Sequence, residues 1–332
     1  MKIVFFELEK WEEEYINSNL SDHQLVFTQE KLEESTASKY QDAQIISSFI
    51  YSTFNKEVLE KLPNLKFIST RSTGFDHIDI NLCKQKNIKV SNVPTYGEHT
   101  VAEHTFSLIL AISRKIVPSV EKTKKGEFGN GGLEGFDLYG KTLGVVGTGH
   151  IGTNVCEIAL SFGMKVLAFS RTQNQDLVAK GVKYVSLDEL LSNSDIVTLH
   201  LPHTKETEHI INMSNIQKFK KQAVLINTAR GSLVETQSVL EGLEKGILQA
   251  AGLDVLEEEC DLREERELLA TEFLKTCDLK TQLLNHVLLT REEVIITPHN
   301  AFNSKEALEQ ILEITIANIK NYINNSPSNI VE

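Results

Sequence analysis

Four signals from the middle of the chain onward could do chemistry, and their order is informative. A glycine loop, Gly147-Thr148-Gly149-His150-Ile151-Gly152, is followed by Arg230 in Asn-Thr-Ala-Arg-Gly. Glu259 closes Leu-Asp-Val-Leu-Glu-Glu-Glu, and His299 sits in Thr-Pro-His-Asn-Ala-Phe. Gly147 permits a tight turn, Gly149 lets backbone approach a pyrophosphate, and Gly152 lets helix and strand pack closely. The helix that opens there offers unpaired N–H groups and the positive end of its dipole to phosphates. An arginine after a strand can clamp a carboxylate through two parallel hydrogen bonds and polarise a neighbouring keto group. A histidine titrates near neutrality and can give or take the proton on that oxygen, while a carboxylate on its far ring nitrogen fixes the tautomer. Together these groups point to a hydride-transfer enzyme.

The elements that must position them alternate. Short β-branched runs at 3–6, 25–28, 45–48, 67–70 and 89–93 read as buried parallel strands separated by helical patterns. A second series has strands near 143–146, 166–169, 196–200, 223–227, 250–253 and 294–297. Such alternation predicts an α/β protein with two doubly wound parallel sheets. Between the series an apolar helix is expected over 100–117, ended by Pro118, and then a glycine-rich stretch over 125–135. The last helix, expected over 304–323, follows the second series and is expected to return to the first domain. The division is therefore 1–98 with 300–332, discontinuous, around a dinucleotide-binding domain at 99–299. The apolar helix is expected either at a subunit interface or between the domains.

Composition sets bounds. The 332 residues suffice for two cores, and 41% hydrophobic with 24% charged residues is ordinary for a globular protein. A formal net charge of −12 argues against nucleic acid or an anionic membrane as partner. No apolar run approaches the ~20 residues of a membrane span, and the acidic turn at Glu7 is unlike a signal peptide. Cys83, Cys156, Cys260 and Cys277 have no metal or disulfide spacing, so free thiols in a reducing cytoplasm are expected. His99 and His104 are badly spaced to share a metal, and no metal is expected. His23, His203, His209 and His286 read as surface residues.

Cofactor choice stays open at the end of the second strand of the second series. NAD enzymes place an acid there to bind the ribose hydroxyls, whereas this chain has Ser170 and Arg171. Both can meet a 2′-phosphate, which points to NADP(H). Arg171 as a solvated loop residue stacking on adenine would suit NAD(H) equally.

The chain resembles the D-isomer-specific 2-hydroxyacid dehydrogenase family along nearly its whole length. The matching pieces are 72–79, 92–96, 101–104, 147–152, 197–202, 227–231, 253–259 and 297–302. The resemblance implies a Rossmann NAD(P)-binding domain inserted into a flavodoxin-like substrate domain. It implies catalysis by Arg230, Glu259 and His299, with Arg230, Thr73, Gly74 and Tyr96 receiving the substrate. The glycine loop, His150, Ile151, Ser170, Arg171, His200, Pro202, Thr207, Thr228 and Asp254 would contact the cofactor, Asp254 by the nicotinamide. Of the three glutamates only Glu259 has the family's offset from Asp254, which disfavours Glu257 and Glu258. The stretch 260–291 is longer than in most relatives and reads as inserted helix.

The reaction so implied is reversible hydride transfer between NAD(P)H and a small 2-oxo acid in a cleft that closes between domains. The 297–302 stretch looks most like the D-lactate branch, and Tyr96 and Phe302 would suit the methyl group of pyruvate. Glyoxylate or hydroxypyruvate reduction is an alternative, as is oxidation of formate or phosphite. From another class, a dinucleotide-sensing interaction protein would keep the fold without turnover. The resemblance also points to a homodimer.

Overall fold

The computed structural model describes residues 1–257 and 278–331. They form two compact units, Met1–Gly97 with Asn303–Glu332, and Glu98–Phe302. Each unit is a parallel sheet covered by helices on both faces.

In the first unit the strands are β1 (Lys2–Phe5), β2 (Gln24–Phe27), β3 (Ile45–Ser48), β4 (Phe67–Thr70) and β5 (Lys89–Ser91). Their order is β2-β1-β3-β4-β5, the flavodoxin-like arrangement. Strands β1, β3 and β4 show no apolar–polar alternation because both of their faces are buried. Ile3, Phe5, Ile45 and Phe67 pack with Leu312, Ile316 and Ile319 of the C-terminal helix, and Val4, Phe6, Ile46 and Ile68 pack with Val58 and Leu59. That helix, Lys305–Ile323, starts where the Ser304 side chain accepts the Ala307 N–H. Tyr322 stacks flat on Phe67 with ring centroids 4.2 Å apart. This packing is why residues far apart in sequence share one unit.

In the second unit the strands are β6 (Thr142–Val146), β7 (Lys165–Phe169), β8 (Lys183–Tyr184), β9 (Ile196–Leu199), β10 (Ala223–Asn227), β11 (Leu248–Leu253) and β12 (Val294–Ile296). Their order, β12-β11-β10-β9-β6-β7-β8, is the Rossmann arrangement with one added edge strand. All pairings between these strands are parallel. Strand β8, only two residues long, carries no period for sequence reading to detect.

The long helix expected over 100–117 is two helices. The first, Glu98–Ser113, ends before Lys115, whose φ of 51° is left-handed. A second helix, Ile116–Lys124, begins there, and Pro118 falls in its first turn, where the missing N–H has no helical partner to lose. Val101, Ala102, Phe106 and Ile109 of the first helix are buried, while Ile116, Val117 and Val120 of the second are 49%, 40% and 45% exposed. The unit edges also differ from the expected 98/99 and 299/300. They fall after Gly97 and Phe302 because Asp254 binds the backbone of Asn300 and Ala301, keeping that turn with the second unit.

Candidate active site

The strand order of the seven-stranded sheet reverses between β6 and β9, and in such sheets ligands bind at the carboxyl ends of the strands flanking that point. Gly147 follows β6 with φ of +101°, and a Cβ there would lie 2.7 Å from the His200 carbonyl. A Cβ at Gly152 would lie 1.9 Å from the Gly147 carbonyl, so the helix sits directly on the turn. At Gly149, by contrast, a Cβ would meet nothing within 4 Å. Gly149 is the N-cap of the helix His150–Ser161 and supplies no side-chain cap. An open approach to uncapped N–H groups is what a pyrophosphate needs, so these residues fit a dinucleotide. Ile151 packs against the core, and exposed His150 places Nδ1 3.4 Å from Glu98 Oε1.

Flanking positions are ordered by short local bonds. His200 Nε2 lies 2.9 Å from Thr198 Oγ1, and burial pushes the imidazole down to about 3, so the ring is neutral. Thr207 Oγ1 donates to the Pro202 carbonyl at 2.7 Å, rounding the loop after β9. Ser170 is half-buried and Arg171 exposed directly after β7.

The ends of β10, β11 and β12 form a ladder that carries Arg230, Asp254 and His299. The Asp254 N–H donates to the Asn227 carbonyl at 2.9 Å, and the His299 N–H donates to the Asp254 carbonyl at 2.8 Å. The Asp254 side chain then ties down the His299 turn. It accepts from Thr297 Oγ1 at 2.5 Å, from the Asn300 N–H at 2.8 Å and from the Ala301 N–H at 2.9 Å. Burial opposes its charge, but hydrogen bonds from His104, Thr297, Asn300 and Ala301 hold the carboxyl below its usual range. His299 itself has φ of 49°, a conformation that needs such ties. On the neighbouring strand Asn227 Nδ2 holds the Arg230 carbonyl at 2.8 Å, and Arg230 Nη1 donates to the Ala229 carbonyl at 2.7 Å.

Sequence reading missed two residues here. His104 Nε2 reaches Thr297 Oγ1 at 3.1 Å and Asp254 Oδ1 at 3.4 Å, and Thr105 Oγ1 reaches Thr228 Oγ1 at 2.9 Å. Both lie on the apolar helix Glu98–Ser113, where a polar side chain facing the strand ends has no spacing signal of its own.

Of the three glutamates, Glu259 and Glu258 lie outside the described residues. Glu257 is engaged elsewhere, with Oε1 2.5 Å from His209 Nε2 and Oε2 accepting the Thr236 N–H at 2.9 Å. His209 is therefore a hydrogen-bond partner of Glu257, whereas its sequence context alone suggested only a surface position.

In the other unit the loop after β4 is held by side chains. Ser72 Oγ donates to the Gly74 carbonyl at 2.6 Å and lies 2.7 Å from Thr70 Oγ1. Thr70 Oγ1 lies 3.3 Å from His77 Nε2, and burial pushes His77 down to about 4. Thr73 Oγ1 donates to the Val93 carbonyl, and Asn92 Nδ2 donates to the Thr73 carbonyl, both at 2.8 Å. No hydrogen bond from the Thr73 or Gly74 N–H falls among the described residues. Tyr96 is half-buried beyond β5. Behind the loop Arg71, 2% exposed, donates through Nη2 to the carbonyls of Phe6 and Glu7 at 2.9 and 2.8 Å. Its Nε lies 3.9 Å from Glu12. Burial raises the carboxyl groups of Glu7 and Glu12 above their usual range, and the Arg71 charge only partly opposes that.

Among the described residues no group of three or more His, Cys, Asp or Glu could hold a metal, and no helix is long and apolar enough to cross a membrane. Cys83 and Cys156 are free and buried, and burial raises their thiols to about 11 and about 12.

Comparison with known proteins agrees with this architecture. Residues 106–301 match the family described as D-isomer specific 2-hydroxyacid dehydrogenase, NAD binding domain. The D-lactate dehydrogenase of Escherichia coli is 32% identical over 325 residues, covering 97% of this chain and 96% of that protein. A hydroxypyruvate reductase of Blautia hydrogenotrophica is 34% identical over 282 residues, covering 83% and 81%. The crystal structure of a D-lactate dehydrogenase from Aquifex aeolicus complexed with NAD and lactic acid superposes with a TM-score of 0.85 at 36% identity, covering 98% of this chain and 96% of that one. A glycine loop fitted to a dinucleotide, two parallel sheets and matches over nearly the full length place this chain in the D-isomer-specific 2-hydroxyacid dehydrogenase family, whose members are NAD-dependent oxidoreductases.

Proposed function

We propose that the chain reduces a small 2-oxo acid, pyruvate first among them, to the D-2-hydroxy acid, and that the reaction is reversible. The bound nicotinamide supplies the hydride equivalent. Arg230 binds the substrate carboxylate and draws charge toward the keto oxygen, His299 gives that oxygen its proton, and Glu259 supports the imidazolium. The backbone N–H groups of Thr73 and Gly74, and Tyr96, are proposed as further substrate contacts. The observation that supports this reading most is the ladder of strand ends, in which Asn227, Asp254 and His299 are joined in sequence by backbone hydrogen bonds. It supports the reading because Arg230 and His299 follow nearby strands at the same end of one sheet.

NADH is the proposed working cofactor. The match to an NAD binding domain family and the solved relative that holds NAD support this choice. The contacts proposed for the cofactor are those of the glycine loop, Ser170, Arg171, His200, Pro202, Thr207, Thr228 and Asp254. A homodimer in the cytoplasm is proposed as well, supported by the exposed apolar side chains of Ile116, Val117 and Val120. The hydroxypyruvate reductase relative supports hydroxypyruvate as the second substrate to try.

The test is the initial rate of NADH and NADPH oxidation with pyruvate, glyoxylate and hydroxypyruvate. Arg230→Ala removes a charge-assisted clamp and is expected to lower kcat/KM by about 100-fold or more, equivalent to roughly 3 kcal/mol. Cofactor binding without oxidation by any acid would overturn the dehydrogenase reading in favour of a dinucleotide sensor.

A further inference from the structure

Glu257 lies one residue beyond the segment that packs directly on the Arg230 turn. A short 3-10 helix, Gly231–Leu233, starts immediately after Arg230. Gly231 lies under the Leu256 carbonyl so closely that a Cβ would come within 1.7 Å. On its flank the His209 N–H donates to the Ser232 carbonyl at 2.8 Å, and the Ile211 N–H donates to the Leu233 carbonyl at 3.1 Å. The turn is thus held from behind by Asn227, from above by Leu256 and from the side by residues 209–211.

One carboxylate locks these pieces together. Glu257 Oε1 binds His209 Nε2 at 2.5 Å, and Oε2 accepts the N–H of Thr236 at 2.9 Å. Thr236 opens the helix Thr236–Glu244, whose N-cap Glu235 makes no side-chain cap of its own. A negative charge at that end satisfies an unpaired donor and the helix dipole together. The Glu257 carbonyl accepts from Asn285 Nδ2 at 2.9 Å, and Asn285 is 1% exposed. The Glu257 side chain is 15% exposed and that of His209 39%, so the pair is partly shielded, and the His209 backbone is left-handed at φ of 48°. A left-handed histidine fixed at both its N–H and its ring is a strained, purposeful placement.

We infer that Glu257 and His209 are a positioning pair for substrate capture, clamping the turn that carries Arg230 so that its guanidinium meets the 2-oxo acid carboxylate in register. The inference rests on the proposed role of Arg230 and adds residues that take no part in the proton or hydride transfer. Small displacements of a clamping group weaken capture of its ligand far more than they disturb a remote cofactor site.

Three variants test it, Glu257→Ala, Glu257→Gln and His209→Ala. Glutamine keeps an acceptor for the Thr236 N–H and offers its amide to the His209 ring, so it is the conservative rescue. Glu257→Ala is expected to raise KM for pyruvate about tenfold, change kcat less than about threefold, and leave the Kd of NADH unchanged. Glu257→Gln is expected to return KM to within about threefold of the parent, and His209→Ala to fall between them. In the protein without cofactor, amide hydrogen exchange over residues 229–234 is expected to quicken in Glu257→Ala and His209→Ala, a readout independent of turnover. Unchanged KM and exchange in both alanine variants would overturn the inference, as would a rise in KM matched by an equal rise in the NADH Kd. If Glu257→Ala does not fold, the half-exposed His209 variant decides alone. A parent that oxidises NADH with none of the acids defeats the catalytic reading instead, and the exchange measurement then still judges the clamp.

Discussion

In the unit Glu98–Phe302 the glycine turn after β6 is shaped by backbone. Gly147 and Gly152 touch neighbouring carbonyls with no room for a Cβ, and Asp254 and His299 are tied through main-chain N–H groups. In the unit Met1–Gly97 with Asn303–Glu332 the comparable loop after β4 is shaped by side chains. Hydroxyls of Ser72, Thr70 and Thr73 bridge it, and a buried Arg71 anchors it between Glu7 and Glu12. The first arrangement is steric and fails when an atom is added. The second is electrostatic and fails when a charge is removed.

Removing the charge is expected to be the larger blow. Arg71→Met leaves two carboxyl groups buried without their cation and should lower stability by about 3–5 kcal/mol in urea unfolding. Combining it with Glu7→Gln and Glu12→Gln should restore much of the loss. A single-variant loss below about 1 kcal/mol would erase the contrast between the units.

Adding an atom comes next. Gly152→Ala forces a Cβ against the Gly147 carbonyl and is expected to lower stability by about 3 kcal/mol while abolishing NADH binding. Gly149→Ala meets no protein atom, so its melting temperature should stay at the parental value while NADH affinity falls. Equal melting temperatures for the two variants would show that steric contact with the turn is not what fixes the loop.

The effect that is smallest near neutral pH is the pH dependence itself. His77 and His200 are pushed down to about 4 and about 3 from an ordinary 6.5, so the folded protein holds them neutral. Their burial is fully tolerated above pH 6.5, and stability falls as pH drops from there toward about 4 for His77 and about 3 for His200, by up to about 1.4 kcal/mol per pH unit for each. Glu7 and Glu12 act with the opposite sign. Their folded values are raised, so they favour the folded state most at low pH and lose that advantage as pH rises through the raised values. Acid loss in the unit with Arg71 is therefore partly offset, and His200→Gln should flatten the pH profile of unfolding more than His77→Gln does.

The contrast also explains what sequence could disclose. Turns set by sterics need glycine at fixed spacing, so Gly147, Gly149 and Gly152 could be read directly, and so could strands buried on both faces. Arg71 could not be paired with Glu12, because 71 − 12 = 59 residues separate them and nothing local marks a buried ion. His104 and Thr105 were hidden by the apolar period of their helix. The break at Lys115 was invisible because Pro118 looked like a terminator and proved to be a first-turn residue. Glu257 could be set aside only by its offset from Asp254, and its engagement with His209 needed the tertiary structure. Arg230 and His299 stood out because each follows a strand in a distinctive local sequence.

The left-handed backbone at His299 limits how this position can drift. Glycine, asparagine and aspartate share histidine's tolerance of that conformation best, and none of them titrates near neutrality. Random substitution here therefore loses either the shape of the turn or its proton chemistry. A lineage that abandoned turnover but kept the fold would be expected to show one of those three residues, so the amino acid at this position separates a silent relative from an active one.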